Sequence, residues 1–298
     1  GRNYRQLLQK FILGALTFSQ GTADYWSIDY GSDSNLTLAE GKTYSEGAHD
    51  YDESVGYFGM SRAYGIMSDA EIKDPGYADN IVVDGLIDVR SEYNFGNSQN
   101  CAKRDLGSAD NANPTNFTGE VVNAIIIGRQ ILNNAQADAT ETSPGSLSPD
   151  AAAALAVQIE IAALTWEKCI AATVVHYIND VQGDMANFVG DEFADLDNFK
   201  DLAKHWSEGA GFALGLQFSP FSPFRDASVP GIDVNSLKTI LQLLGTAPVL
   251  ADGTQNGLLF NGASSPAAAR EDYLANLTQA RDILQKAYGF DATNVANW

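Results

Sequence analysis

An acid-rich pattern that could bind a cation occurs twice in this chain. In both copies an acid is followed by an acid or a histidine four residues later, by glutamate after three more, and then by glycine and an aromatic residue. The candidate ligands are Glu46, His49, Asp50 and Glu53 in the first copy, and Asp201, His205 and Glu208 in the second. Helical positions i, i+4 and i+7 share one face, so each copy predicts a stripe of acidic side chains. Stacked carboxylates repel one another unless a cation, a proton or an arginine compensates their charge.

The ligand types in these stripes indicate a divalent metal ion: iron, zinc or calcium. Imidazole together with carboxylate suits iron or zinc, whereas carboxylates alone suit calcium. The alternative is that the same groups cap loops or bind the backbone and arginines inside a packed helical bundle. Glu46 and His49 also have the Glu-x-x-His spacing of di-iron bundles, but the sequence lacks a second pair of this kind.

Other segments give weaker signals. Residues 80–91 resemble the centre of a calcium loop, but Asn80, Val82 and Ser91 stand where strong ligands belong, so we interpret the segment as a turn that enters a helix. Cys101 and Cys169 fit no metal spacing, and either a disulfide or two buried thiols would suit them. Nucleophile and phosphate-loop signatures are absent from the sequence, so we expect a protein that is not an enzyme.

The composition is typical of a soluble globular protein that does not bind nucleic acid. The 298 residues are 45% hydrophobic and 19% charged. No apolar run approaches the roughly 20 residues of a transmembrane helix. With 38 acids against 18 bases the net charge is −20, which repels phosphate and favours a small cation as partner. Because an amphipathic segment follows Gly1 directly, we expect that a signal or lipid anchor has been removed.

Apolar residues recur at helical spacing through most of the chain, and alternating strand patterns are nearly absent. We predict an N-terminal helix that ends near Gly21, a helix over 49–67, a helix to Ala135 capped by Thr115 or Thr118, and a long helix capped by Asp150. Three more helices are predicted: one that carries the second stripe and stops before Pro220, one over 234–244 and one over 266–288. The sequence therefore predicts an all-α protein.

The two halves of the chain also match each other. Glu46 aligns with Asp201 at an offset of 155 residues, and GRQILNNA at 128–135 aligns with ARDILQKA at 280–287 at an offset of 152. The segment 139–150, which contains glycine and two prolines, lies between the halves. We therefore predict two helical bundles of about four long helices each, related by internal duplication and joined with long irregular loops. The first bundle would span 1–140 and the second 150–298.

Four segments, taken in order, resemble the imelysin-like proteins of the bacterial envelope. They are HDYDESVGYFG, DGLIDVRSEYNFG, WEKCIAATVVHYIND and HWSEGAGFALGLQFSPFSP. The most similar branch is catalogued only as a domain of unknown function, and the resemblance extends from about Tyr44 onward. It implies two duplicated helical bundles and export as a periplasmic protein or an outer-membrane-anchored lipoprotein. It also implies a link to iron uptake, and it carries an old label of metallopeptidase.

The family pattern Gly-x-His-x-x-Glu is only partly present in each copy. His205 and Glu208 keep His-x-x-Glu, but Ala203 replaces the glycine. In the first copy Gly47 and His49 keep the beginning of the pattern, and Asp52 stands where glutamate belongs.

From these observations we predict a non-enzymatic, secreted binding protein of the bacterial envelope. Its partner would be a metal ion, another small cation or an unknown envelope ligand, held in a cleft between the bundles that the two stripes line. One alternative is a metal-dependent peptidase or hydrolase that uses His205 and Glu208 as ligands. Another is a surface protein that binds polysaccharide or protein through aromatic residues such as Tyr51 and Trp206.

Overall fold

A computed structural model describes residues 1–73, 88 and 91–298. Most of the segment interpreted as a degenerate calcium loop therefore lies outside the described residues. Helix accounts for 65% and strand for 3% of the structure, so the predicted all-α class is confirmed. The described α-helices are α1 (Tyr4–Ile12), α2 (Asp33–Leu36), α3 (Glu46–Phe58), α4 (Asp69–Lys73), α5 (Asn97–Ser108), α6 (Phe117–Ala135), α7 (Pro149–Ala186), α8 (Leu196–Gly215), α9 (Pro223–Asp226), α10 (Val234–Leu244), α11 (Pro266–Tyr288) and α12 (Ala292–Asn297).

The N-terminal helix continues further than the sequence pattern predicts. Two π-helical segments, Leu13–Phe18 and Gln20–Tyr25, extend α1 through Gly21. A Cβ on Gly21 would lie 2.7 Å from the ring of Trp166, so this glycine permits a close helix contact and does not end the helix. The prediction of an end near Gly21 was wrong because tertiary packing overrode the local preference of glycine.

Helix α3, which carries the first acidic stripe, is shorter than predicted. It begins after the N-cap Ser45 and ends at Gly59, whose φ of 91° is the left-handed conformation that terminates many helices. The predicted continuation to residue 67 was wrong, since only a short 3-10 turn, Tyr64–Ile66, follows. The stripe therefore occupies the whole of a short helix.

The caps predicted for the next two helices also differ. Asn116, not Thr115 or Thr118, is the N-cap of α6. The backbone N–H of Thr118 instead donates to Asp105. Ser148 is the N-cap of α7, with Pro149 as the first helical residue and Asp150 in the first turn. The helices predicted over 234–244 and 266–288 are confirmed as α10 and α11.

Helix α7 is the centre of the fold. Its 38 residues contact α5, α6, α8, α11 and α12. Apolar side chains from both halves of the chain form one continuous core around it. A disulfide between Cys101 and Cys169 links α5 to α7, which decides between the two states left open for these cysteines. The boundaries 1–140 and 150–298 remain a prediction.

The remaining described structure is small. Thr254–Gln255 and Leu258–Leu259 form a two-stranded antiparallel hairpin between α10 and α11. Within residues 1–73, 88 and 91–298, no helix has the length and apolar character needed to cross a membrane.

Candidate functional site

Helices α7 and α8 bring two histidines and two aspartates together. His176, Asp180 and Asp184 follow one another at intervals of four residues, so they share one face of α7. His205 on α8 lies against this face. We call these four residues the His/Asp cluster.

One carboxylate oxygen in the cluster approaches both histidines. Asp180 Oδ2 lies 3.3 Å from His176 Nε2 and 4.0 Å from His205 Nε2. On its other side the His205 ring is fixed by Asp184, because Nδ1 lies 2.8 Å from Asp184 Oδ2. All four side chains are partly buried, with exposed fractions between 13% for Asp184 and 32% for Asp180.

The two histidines have opposite pKa shifts. Burial lowers the pKa of His205, but the hydrogen bond that its ring donates to Asp184 and the charges of Asp184 and Asp180 outweigh burial and raise the pKa. Burial and the charge of Arg104 lower the pKa of His176 to about 3, so His176 is neutral at pH 7. Burial raises the pKa of Asp180. The cluster therefore combines a neutral imidazole, which can donate a lone pair, with a carboxylate that has lost part of its hydration.

Glu208, one turn after His205, faces a different neighbour. Its side chain is buried, and Oε1 lies 3.4 Å from the ammonium of Lys10 on the N-terminal helix. Oε2 has no hydrogen-bond partner among the described residues. The ring of Tyr177 stacks with His205, and burial followed by the charge of Glu208 raises the pKa of Tyr177. Tyr177 thus interacts with both His205 and Glu208.

The second acidic stripe is accordingly divided among three environments. Asp201 is exposed to solvent, His205 contacts α7, and Glu208 contacts the N-terminal helix. The physical reason is that α8 lies between two helices, so side chains on neighbouring turns meet different partners. Their spacing predicted that Asp201, His205 and Glu208 form one site, but the three side chains do not come together in the described structure.

The first stripe stays together at the surface of α3. Glu46 and His49 are exposed, whereas Asp50 and Glu53 are partly buried. His49 Nε2 lies 3.2 Å from Glu53 Oε1, and the ring of Tyr44 stacks on His49. Burial raises the pKa of Asp50, and the charges of Glu46 and Glu53 add to this shift while His49 opposes it.

A further buried acid lies outside both stripes. Glu167 on α7 is fully buried, and Tyr288 donates a hydrogen bond of 2.7 Å to its Oε1. Burial raises the pKa of Glu167 to about 7, although hydroxyl groups of Ser222 and Tyr288 oppose the shift. Periodicity alone assigns this position to the apolar core of α7, so no sequence pattern predicted a role for Glu167.

Two aromatic residues considered as surface contacts belong to the core. Tyr51 is fully buried and its hydroxyl donates to the carbonyl oxygen of Ile125. Trp206 is 4% exposed and its indole N–H donates to the carbonyl oxygen of Leu244. Neither ring can contact a polysaccharide or a protein partner, so this part of the surface-binding hypothesis was wrong.

The donor set best suited to a metal ion is His176, Asp180 and His205. Two imidazoles and a carboxylate fit zinc or iron. As their side chains stand, no group of three or more His, Cys, Asp or Glu residues in the described part of the chain is arranged to hold a metal ion. A tetrahedral ion with ligand bonds of about 2.0–2.1 Å separates its donor atoms by roughly 3.3 Å. His176 Nε2 and Asp180 Oδ2 already have this separation, at 3.3 Å.

Comparison with known proteins adds no relative. No protein-family model matches the chain, and no curated protein or solved structure matches it. The resemblance to imelysin-like proteins therefore stays a prediction.

Proposed function

We propose that this protein is a non-enzymatic binding protein whose ligand is a divalent cation, iron or zinc, held by His176, Asp180 and His205. The observation that supports this proposal is the position of Asp180 Oδ2, which lies 3.3 Å and 4.0 Å from the Nε2 atoms of the two histidines. A bound cation would stabilise this arrangement, in which one carboxylate oxygen lies near two imidazole nitrogens.

The orientation of the His205 ring also supports a divalent-cation site. Metal-binding histidines usually hold their second ring nitrogen on a carboxylate or carbonyl, which fixes the ring and its tautomer. Asp184 occupies this position relative to His205, at 2.8 Å from Nδ1. Binding would require the separation between His205 Nε2 and Asp180 Oδ2 to shorten from 4.0 Å to roughly 3.3 Å. Both side chains are partly exposed, His205 at 19% and Asp180 at 32%.

A binding role suits the cluster better than hydrolysis. A zinc peptidase needs a general base beside the metal-bound water. Glu208, which the hydrolase hypothesis takes as a metal ligand, is paired with Lys10 at 3.4 Å, so its carboxylate is engaged away from the cluster. The setting of the proposed function comes from the resemblance to imelysin-like proteins: export to the bacterial envelope, as a periplasmic protein or a lipoprotein, and a part in iron uptake.

We also propose that the chain arose by internal duplication. The order of the principal helices along the chain supports this proposal. The first half contains the N-terminal helix, α3, α5 and α6, which correspond in order to α7, α8, α10 and α11 of the second half. An experimental structure tests it, because Glu46 should superpose on Asp201 when residues 1–140 are laid on 150–298. A different spatial arrangement of the four helices in the two halves would contradict duplication.

Thermal unfolding of chelator-treated protein with and without added metal tests the cation proposal. Iron or zinc should raise the melting temperature of the parent, since a ligand that binds only the folded state stabilises it by roughly 2.7 kcal/mol at a hundredfold excess over its dissociation constant. Calcium and magnesium should have smaller effects because they prefer oxygen ligands.

Two matched substitutions locate the site. Asp180→Asn should abolish the metal-dependent rise in melting temperature. Asp201→Asn, which changes an exposed acid of the second stripe, should keep this rise. Each variant is compared with itself without metal, so a change in its basal stability does not affect the result. No metal-dependent shift in the parent, or an unchanged shift in Asp180→Asn, would contradict the proposal.

A further inference from the structure

A cavity of about 480 Å³ opens beside the C-terminal half of α3, where the first acidic stripe ends. Its walls are formed by Thr17, Glu53, Gly56, Tyr57 and Phe95. Cavities that hold small molecules have volumes of roughly 300–1,000 Å³. None of these residues belongs to the His/Asp cluster, so the cavity is a separate place in the fold.

Two aromatic rings of the cavity are held by their neighbours. Tyr57 stacks on Tyr25 with ring centroids 5.6 Å apart. Phe95 is 44% exposed and stacks on Tyr93. The backbone N–H of Phe95 donates to the carbonyl oxygen of Gly59 at 2.9 Å, which fixes Phe95 beside the end of α3. The cavity therefore has a preformed aromatic wall.

The same cavity carries negative charge. Glu53 is partly buried, and its hydrogen bond with the hydroxyl of Tyr25 is the main cause that raises the pKa of Tyr25 to about 12. Asp50 and Glu46 lie on the same helix face and add to the negative potential. A carboxylate beside aromatic faces attracts an organic cation, because the ring faces are electron-rich and the carboxylate supplies the opposite charge.

The second copy of the motif shows which cation a glutamate and an aromatic residue four positions later bind in this chain. Glu208 and Phe212 stand 155 positions after Glu53 and Tyr57. There the ammonium of Lys10 lies 3.4 Å from Glu208 Oε1 and 5.8 Å from the centroid of the Phe212 ring. The chain thus places its own alkylammonium group between the carboxylate and the aromatic ring.

The first copy leaves the corresponding space open. A Cβ on Gly56 would meet no atom of the described residues within 4 Å, whereas a Cβ on Gly211 would lie 2.7 Å from the Cβ of Lys10. The described ion pair of Glu53 is with His49, not with a lysine or arginine. Within the described part of the chain, the helix that delivers Lys10 to the second copy therefore has no counterpart at Gly56.

We propose that the cavity between Glu53, Tyr57 and Phe95 binds a primary alkylammonium ion, the chemical class of a lysine side chain or a polyamine. The carboxylate pairs with the ammonium group, and the aromatic rings pack on the alkyl chain and face the charge. This site is independent of the divalent-cation site, because the two share no residue.

Titration of the full chain with n-butylammonium, followed by NMR, tests the proposal. Saturable binding is expected, and the neutral analogue 1-butanol should bind at least about tenfold more weakly because it lacks the charge. Glu53→Gln should weaken n-butylammonium binding by a similar factor. Gly56→Leu should abolish binding, because the new side chain enters the open space without meeting the backbone, whereas Asp201→Asn should leave binding unchanged.

A second variant tests the comparison between the copies. Lys10→Ala removes the internal ammonium, so n-butylammonium should then bind at two sites instead of one. The proposal is overturned if 1-butanol binds as tightly as n-butylammonium, if Gly56→Leu binds as the parent does, or if neither probe shows saturable binding. Folded Lys10→Ala protein that still binds a single equivalent would also contradict it.

Discussion

Gly211 lies so close to Lys10 that a Cβ on the glycine would be 2.7 Å from the Cβ of the lysine and 2.8 Å from the carbonyl oxygen of Leu7. One turn later, Gly14 and Gly215 make a similar approach, with a Cβ on Gly14 placed 2.5 Å from the Cα of Gly215. The N-terminal helix can therefore pack directly on α8. This close contact brings the ammonium of Lys10 to the buried carboxylate of Glu208.

Gly211→Ala should destabilise the protein, although alanine is the better helix former. The added methyl group would clash with both backbone and side-chain atoms of the N-terminal helix, and these atoms cannot all move away. Overpacking of this kind costs about 1–3 kcal/mol. Gly56→Ala is the matched control, because Gly56 stands at the equivalent position of the first copy and a Cβ there would meet no described atom within 4 Å. It should be neutral or stabilising by up to about 1 kcal/mol. Urea unfolding measures both, and equal effects of the two substitutions would contradict this packing.

His205 and His176 should give the metal-free protein opposite responses to pH. The raised pKa of His205 means that its protonation stabilises the fold below about pH 6.5, and this stabilisation is lost as the pH rises through the folded pKa. The lowered pKa of His176 means that the unfolded chain takes up a proton first, so stability is lost as the pH falls below about 6.5.

Chemical denaturation of His205→Asn and His176→Asn across this pH range measures both effects. The deficit of His205→Asn relative to the parent should be larger at about pH 5.5 than at about pH 8.5. The deficit of His176→Asn should be smaller at about pH 5.5, by roughly 1 kcal/mol per pH unit. Parallel pH profiles for both variants would show that the two rings do not have these environments.

Glu167→Gln should make the protein less sensitive to pH between about 4.5 and 7. The pKa of Glu167 rises from 4.5 to about 7 on folding, so the folded state holds a proton that the unfolded state has lost. Stability therefore falls as the pH rises through this range, by an amount of the order of 3 kcal/mol. The amide keeps the shape and can still accept from Tyr288, so the variant should lose this part of the pH profile. A profile identical to that of the parent would contradict the assignment.

Replacement of Cys101 and Cys169 by serine should lower stability without affecting cation binding. The bridge joins residues 68 positions apart, and a loop of that length corresponds to about 4 kcal/mol of lost chain entropy in the unfolded state. Neither cysteine belongs to the His/Asp cluster or to the alkylammonium cavity. Loss of the metal-dependent shift in a folded double-serine variant would show that the disulfide also positions the site.

Helix positions could be predicted from the sequence wherever local signals agreed. Helices α10 and α11 have apolar periodicity between clear caps, and both were predicted over their observed ranges. The N-terminal helix was misjudged because its π-helical segments and the contact of Gly21 with Trp166 depend on distant residues. Local patterns carry no information on such packing.

The candidate site was predictable only as residue types. Spacing correctly showed that His205 and Glu208 share a face of α8, but it could not show that α7 and the N-terminal helix divide this face between them. The partner Asp184 was missed, although its spacing of eight residues from His176 on one helix was a usable signal. A stripe on an isolated helix becomes a site only when the neighbouring helices are known.

The position of the N-terminal helix on α8 also constrains how the protein can fold during synthesis. Lys10 and Gly14 leave the ribosome well before their partners Glu208 and Gly215, which follow about two hundred residues later. The amphipathic N-terminal helix therefore lacks its binding surface while the intervening residues are synthesised. Until α8 has emerged, the apolar face of this helix is free to contact a chaperone or the rest of the nascent chain.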